Sequence, residues 1–349
     1  MADLIDLQIQ FRLAKKTSSD GTQSTHELLA TIDGSGSWRG ESTIDYAQLA
    51  EAEQVPRQYG KRLGEALFNP AIMNALRQAR GLLERPVRIR LWLEMGPNGE
   101  REDQHGLRWE RAYIVVNGKD WPLAIAPGLP FSRYVPAESI DSEASDDSVF
   151  NLLVVFASPD NLGPEQQPVD VNADLSLLLD GIDPLMQGRR FQLMVMPGRT
   201  GISAELQKRL AESGTKVVEG PSTIDAIARS VHDCHGLHLV AHGTMNPETQ
   251  RGSLVLEDEE GHRAFAFDDD LNPWIHPNLR AVVLQSCHSA TPTPKLGPPF
   301  VGIGPRLVQL GVPAVVAMQD YVGMDDARVF AAAFYRSLVQ NGLVDVAVN

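Results

Sequence analysis

Hydrophobic residues fall in two different rhythms along this chain. From residue 149 onward they come as short unbroken runs: VFNLLVVFA (149–157), RFQLMVM (190–196), TKVVEG (215–220), GLHLVAHG (236–243), RAVVLQSC (280–287) and PAVVAMQ (313–319). An apolar run of this length reads as a strand buried on both faces. Between the runs lie NADLSLLLDGIDPLM (172–186), SAELQKRLAES (203–213) and STIDAIARSVHDC (222–234), where apolar residues recur at helical spacing. Ser222 reads as the N-cap of the last of these. A hairpin pattern follows in GSLVLEDEEGHRAFAF (252–267), then a helix at about 303–311 and another in MDDARVFAAAFYRSLVQNG (324–342). Buried strands alternating with helices predict a mostly parallel sheet covered on both faces, an α/β fold.

Before residue 136 the pattern is mixed. LIDLQIQFRLA (4–14) alternates like an antiparallel strand, and 57–83 reads as helical. PVRIRLWLEM (86–95), LRWERAYIVV (107–116) and WPLAIA (121–126) read as strands. The expectation is a smaller α+β subdomain at 1–136, an acidic linker at 137–148 and the parallel-sheet subdomain at 149–349. PAESIDSEASDDS (136–148) carries five acidic residues and no basic one. A segment of that composition buries too little apolar surface to order itself strongly. The chain closes on GLVDVAVN, which reads as a helix start and as a piece of a longer protein.

Composition narrows the functional classes. The 349 residues carry a formal net charge of −14 and a pI of about 5.1, against the basic footprint of a nucleic-acid binder. No apolar run reaches the roughly 20 residues of a membrane span. MADLIDLQIQ has neither the basic start nor the long apolar stretch of a signal peptide. Two cysteines, Cys234 and Cys287, point to a reducing compartment, so a cytoplasmic protein is expected.

Two strands end in reactive groups. One ends in Ala241-His242-Gly243 and the other in Gln285-Ser286-Cys287-His288. A parallel sheet brings both ends to one rim, where α/β folds carry their chemistry. A thiolate beside an imidazole is the pair a cysteine peptidase uses. The glycine after the histidine lets a backbone N–H approach an oxyanion.

HLVAHG together with VVLQSCHSA resembles the His-Gly and Cys motifs of caspase-like (clan CD) peptidases. Trp109-Glu110, Ser132-Arg133 and the segment 315–348 are similar to one bacterial branch of them, the CHAT domains, related to caspases and separase. The resemblance implies a caspase-like sheet, Cys287 as nucleophile, His242 as base, and the N–H groups of Gly243 and Cys287 as oxyanion hole. It also implies a dedicated protein or peptide substrate, and an activating partner protein or fused sensor module, in bacterial defence or cell-death signalling. No arginine matches those that hold an aspartate side chain in caspases. Asp320, after the strand beside the nucleophile's, together with Gln285, Ser158 and Asp160, is expected to line the S1 pocket and to favour a basic P1 residue. A loop at 289–304, rich in Gly and Pro, is expected to order only with a ligand or partner. Trp109 is expected in the core, with a partner for the Glu110 carboxylate.

No cofactor and no metal are expected. His238 and His242 share a strand face but lie about 13 Å apart at ~3.3 Å per residue, too far to share one zinc ion. PGRTGIS (197–203) and GPPFVGIGPR (297–306) lack the lysine of a P-loop. The alternative is a non-catalytic CHAT signalling or interaction module.

Overall fold

The structure, a computed structural model, describes residues 4–16, 22–32, 34–83, 85–94, 103–134, 149–164, 166–188, 190–245, 252–285, 300–318 and 322–349. The linker expected at 137–148, Cys287 and Asp320 lie outside the described residues. The chain divides into two compact units, Met1–Pro136 with Asn341–Asn349, and Ala137–Gln340. Residues 341–349 therefore group with the N-terminal unit, whereas the sequence boundary ran 149–349 together.

The first unit holds β1 (Ile5–Lys16), β2 (Gln23–Ile32), β3 (Gly36–Asp45), α1 (Tyr46–Ala52), α2 (Pro56–Leu67), α3 (Pro70–Leu83), β4 (Val87–Leu93), β5 (Tyr113–Val116), β6 (Lys119–Pro122) and β7 (Phe131–Tyr134). Five of the strands form one sheet in the order β3-β2-β1-β4-β7. β1 runs antiparallel to β2 and parallel to β4. The alternation along β1 puts Leu7, Ile9 and Phe11 into a core shared with Leu63 of α2 and Ile72 of α3. The helical stretch expected over 57–83 is broken at Asn69, whose side-chain oxygen accepts from the N–H groups of Ala71 and Ile72 and so starts α3. Two expected strands are shorter than their apolar pattern. Trp109–Arg111 is a 3₁₀ turn ahead of β5, and Leu123–Ile125 is another after β6. Trp109 is fully buried, its indole N–H donating to the Gln104 carbonyl, and Glu110 pairs with Arg133 at 2.7 Å.

The second unit holds β8 (Phe150–Phe156), α4 (Val171–Gln187), β9 (Phe191–Met196), α5 (Ala204–Glu212), β10 (Lys216–Val217), α6 (Ile224–Val231), β11 (Gly236–Val240), β12 (His242–Met245), β13 (Gly252–Glu257), β14 (Arg263–Phe267), β15 (Ala281–Gln285), α7 (Phe300–Gln309), β16 (Ala314–Ala317) and α8 (Met324–Asn341). A last short helix, α9 (Val344–Val348), belongs to the first unit.

Six strands form one sheet in the order β10-β9-β8-β11-β15-β16, every neighbouring pair parallel. This is the mixed α/β, caspase-like sheet flanked by helices. Tyr335 of α8 packs on Phe191 and His238 on one face. Ile227 and Val231 of α6 and Ile303 and Leu307 of α7 cluster with Leu237 and Leu239 on the other. Burial on both faces is why β11 and β15 are apolar almost throughout. The N-cap of α6 is Thr223, whose hydroxyl accepts from the Ala226 N–H. Ser222, expected in that role, instead donates to the Phe156 carbonyl. Residues 300–304, read as part of a loop, form the first turn of α7. No helix among the described residues is long and apolar enough to cross a membrane.

Candidate active site

Strand order reverses between β8 and β11, so the connections leaving these two strands diverge and open a crevice at their carboxyl ends. Ala157 donates to the Val240 carbonyl and Ala241 to the Gln285 carbonyl, which carries the pairing to the very rim. His242 is the next residue. There the chain leaves the parallel sheet and enters a three-stranded antiparallel sheet, β12-β13-β14, in which His242 lies opposite Val255. Gly243 follows opposite Leu254.

The His242 ring is fully buried, and its Nε2 lies 2.7 Å from the Gln167 carbonyl. A carbonyl only accepts, so Nε2 carries the hydrogen and, in the neutral ring, Nδ1 carries the lone pair. Tautomer and orientation are thus set by the loop between β8 and α4. In the register of β11 with β15, Val240 lies opposite Gln285. In sequence each is two residues before a candidate catalytic residue, His242 after β11 and Cys287, outside the described residues, after β15.

The residues expected to line S1 have separate surroundings. Gln285 is buried, and its side-chain oxygen accepts from His238 Nε2 at 3.1 Å. His238 Nδ1 in turn accepts from the Tyr335 hydroxyl at 2.9 Å. Burial lowers the His238 pKa to about 4 and raises that of Tyr335, so this chain of three is neutral. Ser158 is buried, with its hydroxyl accepting from the Val169 N–H. Asp160 is exposed, 3.9 Å from His262 Nε2.

Beneath the rim, Asp174 of α4 pairs with Arg328 of α8 at 2.5 Å. Burial raises the Asp174 pKa against the pull of the guanidinium, and its Oδ2 has no hydrogen-bond partner. Asp174, Arg328, His238, Val240 and Gln285 line a cavity with room for about one water molecule. Cys234 is buried, and desolvation pushes its thiol up to about 11, which leaves it a poor nucleophile.

Sequence reasoning passed over Glu257. Its buried carboxylate accepts three backbone N–H groups: Ser158 at 3.0 Å, Arg199 at 2.9 Å and Ser222 at 2.8 Å. The available signal is an acidic residue ending the otherwise apolar GSLVLE. The Gln167 carbonyl, Asp174, Arg328 and Tyr335 carry no motif.

The family model for the CHAT domain matches residues 122–349. No curated protein matches the chain.

Proposed function

The chain belongs to the CHAT-domain family, and on that premise we propose that it is a cysteine endopeptidase with Cys287 as nucleophile and His242 as base. The observation that carries this reading is the placement of His242. It stands at the switch point of a parallel sheet, held through Nε2, two residues past the end of β11, the strand paired with β15, after which Cys287 follows in sequence. In the proposed reaction the Cys287 thiol gives its proton to His242 Nδ1 and the thiolate adds to the scissile carbonyl carbon. The backbone N–H groups of Gly243 and Cys287 receive the developing oxyanion. Collapse breaks the C–N bond, and the imidazolium protonates the departing amine. Water, deprotonated by His242, then hydrolyses the thioester and restores the thiol.

The proposal extends to a basic P1 residue, supported by Asp320, which follows edge strand β16 beside β15. It extends also to a cytoplasmic role in bacterial defence or cell death under a partner protein, supported by the resemblance alone. The experiment is cleavage of a fluorogenic peptide library with and without candidate partners. Cys287→Ala should abolish cleavage and His242→Ala should lower it by several orders of magnitude, while Cys234→Ala retains it. Activity in Cys287→Ala overturns the protease reading. A chain silent under all conditions, with Cys287 unreactive to thiol probes, is the outcome expected of a non-catalytic CHAT module.

A further inference from the structure

Glu257 ends β13, a strand buried along its whole length. Two residues earlier, Val255 is the partner of His242. The strand that carries the candidate base is therefore held by a strand whose end is fastened through one carboxylate. That carboxylate reaches the chain just beyond β8 (Ser158), β9 (Arg199) and β10 (Ser222). The backbone N–H of Glu257 also donates to the Ser222 carbonyl, so the contact with that residue is reciprocal. The surroundings leave little slack. Gly198 sits at φ +69°, and a Cβ there would lie 2.6 Å from Glu257 Oε1 and 2.7 Å from the Phe156 carbonyl. A carboxylate suits three converging N–H groups because both oxygens only accept. An amide in its place would turn an NH₂ toward at least one of them.

We propose that Glu257 is a positioning residue for His242: it fixes the β12–β13 pair on the carboxyl rim of the parallel sheet and thereby places the imidazole. The inference rests on the reading of His242 as the base. It makes a directional statement that separates placement from charge. If Glu257 acted only as a nearby negative charge, removing it would favour the Cys287 thiolate. If it places His242, removing it takes the imidazolium away from the thiolate and disfavours it.

The test measures the alkylation rate of Cys287 by iodoacetamide against pH, in full-length protein with Cys234→Ala to leave one thiol. Thermal unfolding is recorded alongside. Three changes are compared: His242→Ala, Glu257→Gln, and Glu257→Asp, which keeps the charge and withdraws it by one methylene. All three should raise the pH midpoint of alkylation toward about 8.5, the ordinary thiol value, with Glu257→Asp moving it least. For every whole pH step by which the midpoint rises, the rate at a fixed lower pH falls about tenfold. An unchanged midpoint in a folded Glu257→Asp or Glu257→Gln protein, even with a lower melting temperature, reduces Glu257 to a structural clamp and overturns the inference alone. A lowered midpoint overturns it in favour of charge. If His242→Ala leaves the midpoint unchanged, the base assignment fails first and takes this inference with it.

Discussion

Acidification should loosen the parallel-sheet unit, and His238 and His276, whose pKa values burial lowers, both contribute to the loss. The His238 ring is fully buried, donates to Gln285 and accepts from Tyr335, and burial favours its neutral form. Its folded pKa is about 4 against 6.5 for a free histidine. The unfolded chain therefore binds an additional proton between these values. Stability is fully present above about pH 6.5 and is lost as pH falls toward 4. Between pH 7 and pH 5 the His238 share of the loss is about 2 kcal/mol. At pH 5 the folded ring is still neutral, so the figure depends almost wholly on the unfolded reference. It is a large part of the 5–15 kcal/mol typical of a domain. His238→Gln deletes the titration while leaving a polar group near Gln285. It should lower stability at pH 7 by about 1–3 kcal/mol, through the lost Tyr335 partner, but reduce the difference between pH 7 and pH 5. Asp174, with its raised pKa, titrates in the opposite sense; it and His276 are present in both proteins and cancel from the comparison. Urea unfolding followed by ¹⁹F NMR of 5-fluorotryptophan at Trp274 reports this unit, since the other tryptophans, at 38, 92, 109 and 121, belong to the first unit. A pH 7 to pH 5 loss of the same size in His238→Gln would refute the reasoning.

The ion pair beneath the rim and the choice of P1 residue give two further tests. Arg328→Met strands Asp174 as a buried charge and should cost about 3–5 kcal/mol, whereas Asp174→Leu combined with Arg328→Met should recover most of it; equal urea midpoints for the single and double variants would contradict a buried, coupled pair. Fluorogenic substrates ending in Arg, Lys, Asp and Leu should rank the basic residues first, and Asp320→Ala should erase that preference. A preference for Asp, or a basic preference unmoved by Asp320→Ala, removes Asp320 from the S1 pocket.

The parallel sheet is legible because burial on both faces turns β8, β9, β11 and β15 into runs of apolar residues that composition alone marks. β2 and β3 are not legible in the same way. β2 turns Ser24 and His26 inward, where they bond to each other at 2.6 Å, and β3 is a largely polar edge strand. WPLAIA has strand composition, yet only its start is strand; the rest closes a 3₁₀ turn through the bond from Ala126 N to the Leu123 carbonyl. At the crevice, a strand ending in His-Gly can be read from its pattern. The carbonyl that orients the ring comes from Gln167, 75 positions away. Glu257 draws its partners from 99, 58 and 35 positions away, and each is a backbone N–H with no side-chain identity to betray it. Contacts to backbone made over such separations leave no local spacing to recognise.

The grouping of residues 341–349 with the first unit has a consequence for how the chain is made. Arg88 of β4 faces Asp6, paired early in the sequence, and also Asp345 of α9; Asn349 donates to the carbonyls of Ala124 and Ala126. A ribosome delivers residues 1–136 first, then the whole of 137–340, and only then α9. Through that interval the nascent sheet holds Arg88 with one of its two carboxylates, and the carbonyls of Ala124 and Ala126 lack the bond from the Asn349 amide. Of these two units, the one begun earlier is thus completed later.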